Sequence, residues 1–290
     1  MYFNIQNKKS SFVNSSILYI VPTPIGNLND ITYRAIGILK KVDYIIVENI
    51  HRASLLLKNF SINNVPLITL NAYNEHKKTN ALLSILKKGQ SIALISNAGT
   101  PVINDPGFYL IKCCKELNIR IIPLPGACAA ITALTASGMN CNSFCYEGFL
   151  PKTHKKRINY LNMLEKEKRT LIFYESTHRI LPSLKDMMMV LGKDRNIVFA
   201  RELTKIWETI YSTSIEELVF LIEENKICYK GEITLIVEGY NKSIPISSEA
   251  LETFNLLKIK LSKKNTISLV SKIYNINRNL LYRYILKNNL

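Results

Sequence analysis

The chain has 290 residues, 47% of them hydrophobic, and 38 basic against 22 acidic side chains, a net charge of +16. That is globular composition with room for two packed domains, and the positive excess favours a polyanionic partner. No apolar run reaches membrane-span length, the polar start Met1 to Ser16 has no signal-peptide core, and the six cysteines form no CxxC pair that would frame a zinc site.

In chain order, residues 1–16 read as a loose leader and Ile17–Val21 as a buried strand. A helix capped by Asp30 is expected through Lys41, then a strand over Tyr44–Val47 and a helix over His51–Asn59. A third strand is expected at Leu67–Leu70, then a helix over Glu75–Lys88 ended by Gly89. Ser91–Ile95 and Arg120–Pro123 read as strands on either side of a helix over Pro106–Leu117. The alternation implies a parallel sheet covered on both faces, in a domain spanning residues 16–125.

After Pro125 the rhythm changes. Gly126–Ser137 reads as a small-residue helix, and Phe144–Phe149, Thr170–Tyr174, Asn196–Arg201, Trp207–Tyr211 and Glu232–Glu238 as strands. Helices are expected over His178–Leu191 and Ile215–Glu224, with a hairpin across Glu202 to Ser212. These elements predict a second α/β domain, residues 126–240, with a mixed sheet. A polar linker over 241–250 contains Pro245, and a basic helical tail occupies 251–290, with short helices at Thr266–Tyr274 and Asn277–Lys287.

Three loops leave strands of the first domain. The first, Pro22-Thr-Pro-Ile-Gly-Asn-Leu-Asn-Asp30, is neither GxGxxG nor a P-loop, but it can bring backbone N–H groups to a ligand. The second, Ser96-Asn-Ala-Gly-Thr-Pro-Val-Ile-Asn-Asp-Pro-Gly107, is long and stiff for a strand-to-helix connection. The third, Pro123-Leu-Pro-Gly-Ala-Cys-Ala-Ala130, opens a helix of small residues, which suits tight packing or a flat ligand equally. Parallel sheets bind ligands at the carboxyl edge from which such loops emerge.

Together these loops resemble the tetrapyrrole methylase superfamily and, more narrowly, the ribosomal RNA small subunit methyltransferase I family of 16S rRNA cytidine 2'-O-methyltransferases. Further matching segments are Glu48 with His51-Arg52, Glu147-Gly-Phe-Leu-Pro151, Phe173-Tyr-Glu-Ser-Thr-His-Arg179, Ala200-Arg-Glu-Leu-Thr-Lys205 and Lys230-Gly-Glu232. The resemblance covers about residues 16–240. It implies a homodimer with S-adenosyl-L-methionine held in the cleft between two α/β domains; methyl transfer from a sulfonium requires no metal, and the polar start and short apolar runs point to a cytoplasmic protein. The implied reaction is methylation of a cytidine ribose 2'-hydroxyl in the decoding centre of 16S rRNA. A tetrapyrrole small-molecule methylase and a non-catalytic rRNA-binding relative are the competing readings.

For the donor, the resemblance points to Pro24, Asn97, Gly99, Thr100, Ile103, Ala127, Cys128, Ala129, Gly148 and Phe149. Loss of the hydroxyl proton calls for a base, and Glu48, Glu147, Glu175, His178 and Glu202 are candidates that sequence does not separate. Arg52, Arg179, Arg201 and Lys205 are candidates for phosphate or ribose contact. So is the cluster of Lys152, Lys155, Lys156 and Arg157, which is equally consistent with a solvated helix start. Two departures stand out: the family commonly carries Asp where this chain has Asn49 and Asn97. Asn keeps one acceptor oxygen and loses the charge.

Overall fold

The computed structural model describes residues 16–241, 246–276 and 278–288. The chain divides into two compact units, one ending at Gly239 and one beginning at Tyr240. Both sheets lie in the first unit. The leader up to residue 15 and Pro245 of the linker lie outside the described residues.

The first sheet comprises β1 (Ile17–Ile20), β2 (Tyr44–Val47), β3 (Leu67–Thr69), β4 (Ser91–Leu94) and β5 (Arg120–Pro123), in the order β3-β2-β4-β1-β5. Every pairing is parallel, with Tyr19 opposite Ala93 on one side and Ile122 on the other. Side chains alternate across a strand, so this sheet needs apolar residues at every position. Ile45, Val47, Ala93 and Ile95 pack on one face with Leu39 of α1 (Tyr33–Leu39) and Leu57 of α2 (Ile50–Asn59). Leu18, Ile46, Ile92 and Leu94 pack on the other with Leu82 and Leu86 of α3 (Glu75–Lys87) and Leu110 of α4 (Phe108–Glu116).

The second sheet is mixed, in the order β6-β7-β10-β8-β9. Its strands are β6 (Phe144–Phe149), β7 (Thr170–Ser176), β8 (Asn196–Arg201), β9 (Thr209–Ser214) and β10 (Glu232–Val237). Only β6 and β7 run parallel, and their register slips between Tyr146 and Gly148. One face packs Phe173, Phe199 and Leu235 against α6 (His154–Leu164), α7 (Ile180–Leu191) and α8 (Ile215–Glu223). The other packs Ile172, Val198 and Ile236 against Ala130, Ala133 and Leu134 of α5 (Ala129–Ala136).

Several expected boundaries move for local reasons. The first helix starts at Tyr33, because Thr32 rather than Asp30 accepts the capping bond, from Ala35 N–H at 3.0 Å. Asn27 instead caps a single 3-10 turn at Leu28–Asp30. β9 begins at Thr209 rather than Trp207, because residues 202–208 form a turn with Glu202 and Thr204 in the left-handed region. α5 begins at Ala129 because Cys128 is still extended, and α7 begins at Ile180, after a turn through His178. The tail starts earlier than expected: α9 (Ser248–Leu257) precedes α10 (Lys263–Ile273) and α11 (Arg278–Lys287). These three helices bury Phe254, Ile267, Val270, Leu281 and Ile285 in a core of their own.

Candidate functional site

The three loops of the first sheet converge at its carboxyl edge. Thr23 and Gly99 exchange both backbone hydrogen bonds, at 2.9 and 3.0 Å, so the first loop is clamped to the second. The Thr100 hydroxyl donates to the Ala127 carbonyl at 2.9 Å, which ties the second loop to the third. Gly99 sits at φ 82°, and a Cβ there would meet Ile25 at 3.2 Å. Val102 at φ 76° and Asn104 at φ 67° also occupy the left-handed region, which is costly for residues with a Cβ and concentrates at ligand sites.

Neighbouring elements hold this strained loop. One carboxylate oxygen of Glu75 on α3 accepts the N–H groups of Gly107, Tyr109 and Leu110, at 3.0, 2.8 and 3.2 Å, and so caps α4 from outside. The Asn104 amide donates to the Tyr146 hydroxyl of β6 at 2.7 Å. Tyr146 and Phe149 stand edge-on to Tyr174, with ring centroids 5.2 and 5.8 Å away. The Tyr174 hydroxyl accepts the Ala130 N–H at 3.1 Å, at the start of α5.

Between loops and aromatics lies a cavity of about 450 Å³, within the range of small-molecule sites. From the first sheet it is lined by Ile25, Glu48, Arg52, Asn97 to Thr100, Ile103 to Asp105, Cys128 and Ala129. From the second come Phe149, Tyr174 to His178, Leu203 and Gly231 to Thr234. Of the expected donor residues, Asn97, Gly99, Thr100, Ile103, Cys128, Ala129 and Phe149 therefore meet here. Pro24, Ala127 and Gly148 do not line it. Pro24 is buried and its neighbour Ile25 lines the cavity instead, and Ala127 contributes the carbonyl that Thr100 binds. Gly148, at φ 63°, lies against the Asn104 side chain.

The five base candidates separate. Glu48, Glu175 and His178 line the cavity. Glu147 lies outside it at the β6 register slip, with its carboxylate on the Tyr160 hydroxyl at 2.5 Å. Burial, reinforced by that bond, pushes Tyr160 up to about 12. Glu202 also lies outside, bonded to Lys205 Nζ at 2.7 Å and Glu232 N–H at 2.8 Å. Burial alone would raise the Glu202 carboxyl, but these donors outweigh it and hold the carboxyl below its ordinary value. Glu175 is fully committed: it accepts from Ser183 at 2.6 Å and Ser176 N–H at 2.7 Å, and pairs with Arg179 at 2.9 Å.

The cation candidates separate too. Arg52 lines the cavity, and Lys152, Lys155 and Lys156 are exposed at the start of α6. Arg157 and Arg201, in contrast, are structural. Arg157 is 4% exposed and pairs with Asp186 at 2.6 Å. Arg201 is 8% exposed, with its guanidinium on the carbonyls of Lys230 and Trp207 at 2.9 Å each. Lys205 sits between Glu202 and Glu232, and a Cβ at Gly26 would strike its side chain. Arg179 pairs with Glu175 and donates to the Leu150 carbonyl at 3.2 Å.

The two Asn departures differ in consequence. Asn49 is the N-cap of α2, accepting Arg52 N–H at 3.1 Å, a role in which Asn and Asp are equivalent. Asn97 donates its amide to Glu48 at 2.5 Å, and an ionised Asp could not make that bond. Asp105, which no sequence motif singles out, also lines the cavity. Its burial and the Glu48 charge raise its carboxyl to about 6, against a smaller lowering by the Ser96 hydroxyl. The residue was visible in the Asn-Asp-Pro-Gly run, but only the folded loop brings it beside Glu48.

The cavity therefore joins a wall of small residues and aromatic rings to the carboxylates of Glu48, Asp105, Glu175 and Glu232, inside a chain of net charge +16. That arrangement suits a ligand with a flat uncharged part and a cationic part. Among the described residues no His, Cys, Asp and Glu group is arranged to hold a metal ion, and no helix is long and apolar enough to cross a membrane.

The profile of the tetrapyrrole (corrin/porphyrin) methylases matches residues 17–219. A protein named ribosomal RNA small subunit methyltransferase I from Buchnera aphidicola subsp. Acyrthosiphon pisum is 52% identical, across 93% of this chain and 96% of the relative. The protein of that name from Escherichia coli O157:H7 is 50% identical, across 93% and 94%. Among solved structures, the methyltransferase CobJ superposes with a TM-score of 0.58 at 16% identity, over 78% of this chain and 94% of that one. A uroporphyrin-III C-methyltransferase from Thermus thermophilus, complexed with S-adenyl homocysteine, superposes with a TM-score of 0.54 at 13% identity, over 76% and 96%. At those identities the superpositions establish the fold.

Proposed function

We propose, from the premise that the chain belongs to the ribosomal RNA small subunit methyltransferase I family within the tetrapyrrole methylases, that it methylates the 2'-hydroxyl of a cytidine ribose in the decoding centre of 16S rRNA. The methyl donor is S-adenosyl-L-methionine, whose sulfonium supplies an activated methyl group when bound. The observation that carries this reading is the carboxylate-rich cavity with a small-residue wall, formed where the strained loop after β4 meets the aromatics of the second sheet.

In this reading Gly99, Thr100, Ile103, Cys128 and Ala129 hold the donor chiefly through backbone groups, and Phe149 and Tyr174 close it from the second sheet. Glu48 faces the cationic portion, with Asn97 keeping its carboxylate oriented. Arg52 and His178 lie where the acceptor nucleotide would enter, and exposed Lys152, Lys155 and Lys156 contribute phosphate contacts, as the basic tail does. Positioning of the acceptor oxygen supplies much of the rate, and removal of its proton the rest. The protein works in the cytoplasm as a homodimer, and the reaction requires no metal.

Incubation of the purified protein with small ribosomal subunits from cells lacking the modification, together with methyl-labelled donor, tests the reading. Label recovered on a cytidine ribose of 16S rRNA supports it. Tight donor binding without transfer to RNA points instead to a small-molecule acceptor or to a binding-only role.

A further inference from the structure

The cavity holds four carboxylates, and their hydrogen bonds divide them. Glu175 is saturated by Ser183, Ser176 and Arg179. Glu232 pairs with Lys205 at 3.0 Å. Glu48 accepts the Asn97 amide. Asp105 makes no ion pair with any described residue and has only the Ser96 hydroxyl beside it, which is itself turned to the Ala98 and Gly99 carbonyls, and it projects from a loop fixed at Thr100, Asn104 and Gly107. A carboxylate that must accept a proton needs a vacant lone pair and a rigid mount, and Asp105 combines both.

Resting on the ribose-methylation reading, we propose that Asp105 takes the proton of the acceptor hydroxyl, with the Glu48 carboxylate, pinned by Asn97, as its neighbouring charge. In the step, the hydroxyl oxygen bonds the methyl carbon and its proton passes to a carboxylate oxygen of Asp105. The electron pair of the broken carbon–sulfur bond stays on sulfur, which leaves as a neutral thioether.

The electrostatics agree. Burial and the Glu48 charge raise Asp105 to about 6, close to the value at which a base is both ionised and proton-hungry near neutrality. Asn97 contributes by being uncharged. It orients Glu48 without adding a further negative charge or contesting a proton with it. The other charged groups lining the cavity are Arg52 on α2, Glu175 and His178 at the end of β7, and Glu232 on β10.

Two measurements test the assignment. In the first, single-turnover methylation of small ribosomal subunits is followed against pH, with the labelled atom mapped. The wild-type rate is expected to fall below pH about 6. Asp105→Asn should lower the plateau roughly 10²- to 10⁴-fold and remove the acid limb, while S-adenosylhomocysteine binds as before. Glu48→Gln should move the limb to lower pH. In the second, which needs no turnover, the Asp105 carboxyl carbon is titrated by NMR, assigned by its absence in Asp105→Asn. It should titrate near 6 and shift downward in Glu48→Gln.

An Asp105→Asn variant that keeps the rate or the limb, or an Asp105 signal that titrates in the ordinary carboxylate range, overturns the proposal while ribose labelling stands. A wild-type protein that labels a base or nothing overturns the ribose reading, and this proposal with it. The mapped label thus separates the two failures.

Discussion

If Asp105 is held ready to accept a proton, the fold must tolerate a carboxylate in an unfavourable place, and that cost is measurable without substrate. The carboxyl moves from 3.8 to about 6 on folding. A shift of that size corresponds to roughly 3 kcal/mol between protonation states. Asp105 is only partly shielded from solvent, and screening reduces the figure to about 1 kcal/mol. Asp105→Asn is therefore expected to stabilise the protein by about 1 kcal/mol near pH 8, where the wild-type residue is charged. The sign follows from linkage. A carboxyl whose folded value is raised binds its proton more tightly in the folded state, so the wild type regains stability relative to the variant as pH falls through about 6. The difference should disappear toward 3.8, below which both side chains are neutral in both states. Urea denaturation of both proteins, stepped from about pH 8 to about pH 5, reads the difference directly. An Asn variant that is no more stable than wild type near pH 8, or a difference that does not change with pH, would show that Asp105 carries no folding penalty when charged. Stabilisation joined to loss of turnover is the pattern expected of a functional residue.

Three other perturbations probe the frame around the cavity. Glu75→Ala strands three N–H groups at the start of α4 and should cost about 2 kcal/mol in urea denaturation, with weaker binding of S-adenosylhomocysteine by calorimetry; Glu75→Gln, which keeps one acceptor oxygen, should lose less. Asp186→Ala leaves the Arg157 guanidinium buried without its counter-ion and should destabilise by roughly 3 to 5 kcal/mol, whereas an Arg157 that served RNA would instead show weakened subunit binding at unchanged stability. Asn97→Asp places a second carboxylate against Glu48, so the variant should lose stability relative to wild type as pH rises from about 5 to about 8, again by denaturation, while a pH-independent difference would contradict the close pairing.

The expected strands of the first sheet lie within a residue of their positions, because a parallel sheet buried on both faces demands short, near-continuous apolar runs that stand out from the amphipathic helices between them. Helix starts are less legible. Asp30 and Thr32 are both acceptable caps, and only the extended path of Ile31 and Thr32 decides between them. Within the candidate site, Glu48, Asn97 and Gly99 are readable from loop motifs, since the loops themselves fix their neighbours. Arg157 is not. Beside Lys155 and Lys156 it looks like one more solvated charge, while the carboxylate that buries it is Asp186, far along the chain on α7. Arg201 is misleading for the same reason, its partners being backbone carbonyls that no sequence pattern displays. Asp105 escapes notice because its importance depends on a Coulomb neighbour at the end of another strand.

The destination of the methyl group defines this enzyme. Nucleoside mass spectrometry of 16S rRNA answers this in cells deleted for their own small-subunit ribose methyltransferase and complemented with this chain. Restoration of 2'-O-methylcytidine at a decoding-centre position is the predicted result. Expression of the folded protein with no 2'-O-methylcytidine in 16S rRNA would rule out ribose methylation by this chain.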